Sequence, residues 1–543
     1  MEKIRLGILY DGKTLETWQA HCLQRLSTVK NVAITARFIE KKHAPVRESA
    51  LMKLYHRASA PHATQRRSAT EFDLGLDLSK LPSFLPDQDP PENAVHVILH
   101  FGHEPARAEL TPRHGIWQFQ QSHTRKYRGS PGFLDGFWEL YYRELTTGTA
   151  LLCYLNPGEA PIILREGFYK TLLHSRKGTI DQSLYDIATW PAEIFENLDY
   201  YLSVAKSSGS LPELRQPSPG QLIAYGFSSL WRKVYRVYER IFRHDQWCVG
   251  VVQEPIHRFL DPDFCPDITW LFFGKKSDKS RFTADPFGLE KEGVTHLFFE
   301  ELRYEDNNGF ISTVRLTEKW SEGEITLEPE KTLELPVHQS YPYVIEYEGE
   351  TYMIPETFQA NEIALYRADF SGSNDRYQWV KVKKLLPIDG IDTTLFQHEG
   401  RWWLMCTRQQ PDHNLALFVW YSDDLFGKWK PHRHNPVKRD VRSTRPGGTV
   451  FYHQGELYRP TQDCSRTYGG QIVITRVISL TPEKFEEEPA AYVAPDPGGE
   501  FPDGLHTLSA VGNITLVDGK RQIFVYDEFK RILAYYKARI LNR

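Results

Sequence analysis

Residues Ser340–Thr357 read SYPYVIEYEGETYMIPET, and residues Asp392–Arg408 read DTTLFQHEGRWWLMCTR. Each is an alternating apolar run, a turn holding glycine, and a second aromatic-rich run, the pattern of two short strands folded back on one another. The unit recurs as FTADPF around Asp285, as RPGGTVFYHQGELYRPTQD from Arg445, and as HTLSAVGNITLVDGKRQIFVYDE from His506. In the first of these the turn lies at Leu289 to Gly293. The starting residues Asp285, Tyr341, Asp392, Arg445 and His506 are separated by 56, 51, 53 and 61 residues. A period near fifty with several short strands per unit predicts a five-bladed β-propeller. Strands expected over Trp247–Gln253 and Thr269–Gly274 precede the first full unit, and one of them is expected to complete the last blade and close the ring.

Upstream, the pattern changes. A strand-like run Ile4–Tyr10 leads into Asp11-Gly12 and a helical spacing through Trp18, Cys22 and Leu26. Further apolar runs follow at Val32–Phe38 and Val95–Phe101. Strands alternating with helices predict a Rossmann-type α/β domain with a parallel sheet. Residues 41–94 are polar, with Pro86, Pro90 and Pro91 clustered, and part of them reads as a mobile loop. The segment Leu211–Gly220 is a Pro-rich spacer, and Gln221–Arg243 has helical periodicity. There Leu222, Tyr225, Leu230, Val234, Val237, Tyr238 and Ile241 share a broad face, while Arg232, Lys233, Arg236, Arg240 and Arg243 give a basic side. The bland reading of this helix is packing of two domains; the sharper one is peripheral membrane contact through 221–243. The expected division is therefore 1–210, 211–245 and 246–543.

At 543 residues the chain exceeds a single ordinary domain. Its 66 Lys and Arg against 70 Asp and Glu give a net charge of -4, which argues against a strongly electrostatic nucleic-acid binder. Six scattered cysteines, Cys22, Cys153, Cys248, Cys265, Cys406 and Cys464, include no pair with metal-ligand spacing and read as reduced thiols. The opening MEKIRLGILYDG reads as a strand rather than a leader, and no apolar stretch reaches eighteen residues. A cytoplasmic protein is expected.

In a propeller the first strand of each blade lines the channel and the second returns to the same mouth. Two residue sets therefore meet there. The strand starts contribute Asp285, Tyr341, Asp392, Arg445 and His506. The strand ends contribute Glu300 or Glu301, Glu356, Arg408, Arg459 with Gln462 and Asp463, and Asp527 with Glu528. Packing alone would place Val or Ile at such positions; capping of turns and mutual pairing is the structural alternative. A ring of carboxylates with further charge suits glycosidic-bond chemistry, which needs a base or nucleophile, an acid, and neighbours that set their pKa values. Tyr341, Tyr343, Trp402, Trp403 and Tyr468 are candidates for stacking on sugars, although one of the adjacent pair Trp402 and Trp403 must face between blades.

The phrases ADPF, SYPYV, YMIPET, DTTLF with RWWLMCTR, and HNPVKRDVRSTRPGG followed by LYRPTQD resemble the propellers of glycoside hydrolase family 43. Within that group they are most similar to the N-terminal domain of glucosamine inositolphosphorylceramide transferases. The resemblance implies a base at Asp285 and a pKa-tuning carboxylate at Asp392. The hydrolases take their acid from a Glu at the start of the fourth blade, where this chain has Arg445, so Glu356 is the substitute acid. Arg445 at that point implies affinity for a phosphate or carboxylate, as on a nucleotide-sugar or acidic glycan. Tyr341, Arg408, Arg445, Arg459, Gln462, Asp463, His506 and Glu300 are the expected substrate-binding residues. Related propellers hold a channel cation, although no dedicated acidic loop is visible here.

Residues 1–200, through KIRLGILYDG, VILHFG and HGIWQFQQSHTRKYRGSPGF with TGTALLCYLNPGEAPII, resemble the formyltransferase fold. The catalytic Asn and His of that family fall at Gln118 and Gln120, its Asp near Asn156, and His123 lies three residues too late. Gln cannot shuttle a proton, so no formyl transfer and no formyl-folate donor are expected, while Tyr127, Arg128 and Gly129 remain a candidate binding loop. Three functions stay open: an enzyme cleaving or transferring a glycosyl unit in glycan or polysaccharide assembly, a non-catalytic glycan-binding scaffold, and a sugar-nucleotide formyltransferase with a propeller recognition module.

Overall fold

The structure, a computed structural model, describes residues 3–39, 50–85, 94–102, 112–121, 136–156, 158–209, 216–273, 280–304, 308–316, 328–369, 377–410 and 412–525. The chain divides into two compact units, Met1–Arg236 and Val237–Arg543.

The first unit is built on an eight-stranded sheet. Ser83–Phe84, Val32–Ile39, Ile4–Tyr10, Val97–His100 and Ile116–Gln121 run parallel in that order. Thr146–Tyr154, Ile162–Lys170 and Lys206–Ser207 continue the sheet antiparallel. The expected parallel sheet thus holds for five strands only. The switch comes at Thr146–Tyr154, which runs antiparallel to Ile116–Gln121; the next pair is held antiparallel by the short link at 155–161, which is long enough for a hairpin return but far too short for a crossover to a parallel neighbour. Leu9, Phe38, Ile98 and Ile116 form part of its core. The polar stretch expected to contain loop includes a helix, Ala50–Ser59, whose Met52 is buried. Residues 40–49 and 86–93 lie outside the described residues.

The expected helix is present as Pro219–Phe242. Its Leu222 and Tyr225 pack into a cluster with Met52, Phe137 and Trp138 of the first unit. Arg232 Nη1 donates to the Leu173 carbonyl at 3.1 Å. No helix among the described residues is long and apolar enough to cross a membrane.

The second unit is a five-bladed propeller. The first blade comprises Arg281–Lys291, Val294–Arg303, Asn308–Leu316 and Glu330–Leu333, and the second Ser340–Tyr347, Glu350–Glu356, Ile363–Asp369 and Gln378–Leu386. Gly390–His398, Arg401–Arg408, Ala416–Ser422 and Lys430–Pro431 make the third, and Phe451–His453, Glu456–Asp463, Gln471–Leu480 and Phe485–Val493 the fourth. The last blade joins Leu508–Val511 and Ile514–Phe524 to two strands from the start of the unit, Arg243–Val252 and Ile268–Trp270. Both early strands, not one, close the ring. Arg243–Val252 pairs with the whole of the second strand, from Arg243 opposite Phe524 to Val252 opposite Thr515. Joining the start of the unit to its last blade in this way closes the circle of blades.

The hairpins of the first four blades share one device. Glu292-Gly293, Glu348-Gly349, Glu399-Gly400 and Gln454-Gly455 each place both turn residues at positive φ. That is the turn whose twist matches the flanking strands. Between blades, Phe287, Tyr341, Tyr343, Leu395 and Trp402 lie in one buried cluster and Phe396, Trp403, Met405 and Leu457 in another. Trp402 and Trp403 therefore face opposite sides of their blade, as neighbours on a strand must.

Candidate functional site

The first three blades open on the same irregularity. Their strand pairing skips between Ala284 and Phe287, between Ser340 and Tyr343, and between Ile391 and Thr394. Inside each skip one residue has left-handed backbone: Asp285 at φ 52°, Tyr341 at 45° and Asp392 at 49°. Bulges of this kind re-aim side chains, and a left-handed non-glycine residue is strained by about 1–3 kcal/mol. These are three of the five predicted strand starts. The fourth blade replaces the bulge with Arg445-Pro446-Gly447-Gly448, where Gly448 sits at φ 137° and a Cβ would lie 1.8 Å from the Leu508 carbonyl oxygen. The fifth enters through His506.

The left-handed residues are held by neighbouring carboxylates. The Asp285 N–H donates to Asp518 Oδ2 at 3.1 Å, the Tyr341 N–H to Asp285 Oδ2 at 3.2 Å, and the Asp392 N–H to Glu356 Oε2 at 3.0 Å. Thr507 donates to Asp285 Oδ1 at 3.0 Å. His506 stacks on Trp247, with ring centroids 3.9 Å apart, and its Nδ1 lies 2.6 Å from Asp518 Oδ2 in a close electrostatic contact rather than an aligned hydrogen bond. Its Nε2 lies 3.5 Å from Asp285 Oδ1. Across the mouth Arg445 grips Asp392 with two bonds, Nε to Oδ2 at 2.5 Å and Nη2 to Oδ1 at 3.2 Å. Its remaining donors reach Asn414 Oδ1 and the Tyr468 hydroxyl, each at 3.3 Å. Gln462 Nε2 adds a 2.6 Å bond to Asp392 Oδ2.

Burial dominates the electrostatics. It pushes the Asp285 carboxyl up to about 6, with His506 pulling down and Asp392 pushing further up. Glu356 and Glu300 are raised well above the ordinary carboxylate range, first by burial. For Glu356 the charge of Asp392 adds to this and Arg445 opposes it; for Glu300 the charges of Asp285 and Glu356 add. At His506 burial disfavours the cation, but Asp518 and Asp285 outweigh it and raise the pKa. Asp518 is held below its usual value because His506 and backbone N–H donors outweigh burial. The site therefore pushes the proton affinities of its carboxyls apart, raising Asp285, Glu356 and Glu300 and lowering Asp518, which is the condition for acid–base work.

Asp285, His506 and Asp518 bring their potential ligand atoms within 4.8 Å of one another. They do not fit a calcium cage as they stand. Calcium takes six to eight oxygens, and the Asp285 oxygens already serve Thr507 and the Tyr341 backbone. The Asp518 and Asp285 charges instead favour the protonated form of His506.

The other predicted residues are placed as follows. Tyr341 is fully buried between blades, and its hydroxyl accepts from the Gly448 N–H at 2.8 Å, tying the second blade to the fourth. Arg459 is 1% exposed and donates to Glu487 at 2.7 Å and to the Ser443 carbonyl at 3.0 Å, so it anchors the segment leading into Arg445. Asp463 caps its own turn at Ser465 and Gln471. Arg408 pairs with Asp389 at 2.7 Å. Glu300 lies 3.4 Å from His338 Nε2, and Glu301 pairs with Arg281 at 3.1 Å. Asp527 and Glu528, like Tyr127, Arg128, Gly129 and His123, lie outside the described residues. The sequence reading missed Asp518. Its signal was a lone carboxylate ending the apolar run Ile514–Val517, in a strand buried on both faces where alternation is lost.

Fold and site together define a five-bladed β-propeller with a buried, charge-paired cluster at the blade starts. Residues 264–497 match the family described as glucosamine inositolphosphorylceramide transferase 1, N-terminal. The rice (Oryza sativa subsp. japonica) protein named glucosamine inositolphosphorylceramide transferase 1 is 36% identical over 215 residues, covering 39% of this chain and 28% of the relative. The Arabidopsis thaliana protein of the same name is 33% identical over 292 residues, covering 50% and 36%. The chain thus aligns with about a third of the length of these relatives. Among solved structures, the catalytic domain of a Coprinopsis cinerea GH62 α-L-arabinofuranosidase has a TM-score of 0.33 at 10% identity, covering 46% of this chain and 94% of that one. A family 117 glycoside hydrolase of Zobellia galactanivorans has a TM-score of 0.32 at 11% identity, covering 52% and 91%.

Proposed function

We propose that the propeller mouth binds a glycan and transfers or cleaves a glycosyl unit, with Asp285 as base and Glu356 as acid. The observation that supports this most directly is the division of labour among buried carboxyls. Asp285, at about 6, is ionised at neutral pH, while burial and the charge of Asp392 push Glu356 well above the ordinary carboxylate range, the direction an acid requires. Asp392, gripped by Arg445 and Gln462, is the fixed charge that acts on Glu356. Because four of the five Arg445 N–H donors are taken up by Asp392, Asn414 and Tyr468 and the guanidinium is already paired with the Asp392 charge, we favour a neutral glycosyl group over a phosphate at that point. The relatives' name favours transfer to an acceptor over hydrolysis, in polysaccharide or glycolipid assembly.

The first unit serves, in this reading, as a docking domain. Gln118 donates to the Gly102 carbonyl at 3.0 Å and Asn156 to Glu159 at 2.9 Å, and amides at these positions supply no titrating group for formyl transfer. We also assign the chain to the cytoplasmic face of a membrane. Its helix exposes Ile223, Phe227, Leu230, Trp231 and Val234 at three- and four-residue steps, with Phe227 72% and Trp231 68% exposed and Lys233 in the same stretch. Co-sedimentation with anionic vesicles, lost in Phe227→Glu/Trp231→Glu, tests that placement.

The catalytic reading is tested with Asp285→Asn and Glu356→Gln on glycan and activated-sugar panels. Loss of turnover with retained sugar binding is expected. Wild-type protein that binds sugars and transforms none of them would instead establish the scaffold reading.

A further inference from the structure

A cavity of about 760 Å³ lies in the second unit, away from the residues assigned to chemistry. Its walls are the segment between strands Arg243–Val252 and Ile268–Trp270, and the segment 494–505 that links the fourth blade to His506. Leu505 and Gly519 also line it, next in sequence to His506 and Asp518, so cavity and mouth cluster share a wall. The volume is that of a site for a small ligand.

The lining has a definite chemistry. Trp270 and Tyr492 present aromatic rings, and Tyr492 is 66% exposed, while the Phe264 and Phe501 rings also line the cavity with Arg258 and Arg521 each stacked 5.0 Å from the ring centroid. Trp270 packs on Phe501 with centroids 4.5 Å apart, which fixes those two rings. Every charged residue of the lining is an acid: Asp261, Asp267, Asp496 and Glu500. Asp261 is partly met by Arg258, 3.8 Å away, which lies outside the lining. Pro262 and Pro266 on one wall, and Pro495 and Pro497 on the other, lock φ and keep the walls preformed.

Rigid aromatic faces accept the C–H face of a sugar ring or an ammonium group, and carboxylates accept hydrogen bonds from hydroxyl or ammonium donors. The same carboxylates repel phosphates and uronates. We propose that this cavity is a second carbohydrate site, selective for sugar residues bearing a free amino group over neutral ones and excluding anionic ones. Its nearness to the mouth makes it a holding site for a chain whose reacting end lies at Asp285. That last role rests on the glycan reading above; binding itself does not.

The test is calorimetric titration of the full chain with three probes: a β-1,4-glucosamine trisaccharide, the N-acetylglucosamine trisaccharide, and trigalacturonate. Affinity should fall in that order. Tyr492→Ala, at an exposed position and with an unchanged melting temperature, should weaken the first probe about tenfold. Asp267→Asn should narrow the gap between the first two. Mouth binding is expected to survive Asp285→Asn, so the separation rests on the two cavity variants: Tyr492 and Asp267 line the cavity and not the mouth, and their losses of affinity report this site. The proposal is overturned if no probe binds at millimolar concentration, if trigalacturonate binds as tightly as the amino sugar, or if Tyr492→Ala binds like wild type.

Discussion

Arg445→Leu is the most informative perturbation of the mouth. The wild-type guanidinium is 6% exposed and bonds both oxygens of Asp392, itself 1% exposed, while opposing the rise of the Glu356 pKa. Leucine removes the cation and leaves a carboxylate buried with only Gln462 and backbone for company. Removing one partner of a buried pair costs about 3–5 kcal/mol, because the remaining charge keeps its desolvation penalty. The loss should be larger at pH 8 than at pH 4, since protonation relieves an unpaired buried carboxylate. Asp392→Asn/Arg445→Leu should recover about 2 kcal/mol or more of that loss, because an amide needs no counter-charge. Urea unfolding followed by tryptophan fluorescence gives all four corners of the cycle. A single-mutant loss below about 1 kcal/mol, or a double mutant as unstable as the sum of the singles, would refute a buried pair that organises the site.

Three further outcomes are expected. Glu487 is pushed up by burial but held down to about 2 by Arg459 and Lys438. Its contribution of about 3 kcal/mol is present above pH 4.5 and lost as the pH falls toward 2, so Glu487→Gln should flatten acid unfolding in that window. Asp285 has the opposite sign: its raised pKa makes stability fall as pH rises from about 4 to 6, and Asp285→Asn should remove that slope in a melting-temperature series. Gly448→Ala places a methyl group 1.8 Å from a backbone oxygen at φ 137°, and should lower stability by about 3 kcal/mol or more; a thermal melt within 2–4 °C of wild type, about the shift expected for 1 kcal/mol, would contradict the close approach.

Much of the propeller was legible because its repeats are local. The hairpin glycines and alternating strands mark each blade, and the strand starts fall where Asp285, Asp392, Arg445, Gln462 and His506 meet. What failed were matters of distance along the chain. That both early strands seal the last blade depends on pairing Arg243–Val252 with residues more than 260 positions away. In the first unit, pattern distinguished strand from helix but not parallel from antiparallel: the short 155–161 link dictates one antiparallel pair, whereas the pairing of Ile116–Gln121 with Thr146–Tyr154 is set by the tertiary fold.

The sequence by itself determined which residue types stand at the blade starts, since a fifty-residue repeat fixes them by counting. Only the tertiary structure decided what those residues do. It turned Tyr341 and Arg459 inward as ties and brought Asp518 to His506. It also spent the Arg445 donors on Asp392. These contacts join different segments, 12 residues apart for His506 and Asp518 and 107 apart for Tyr341 and Gly448, and burial there sets the direction in which each carboxyl's proton affinity moves. Periodicity reports the face a residue lies on, whereas its charge state depends on the neighbours that folding supplies.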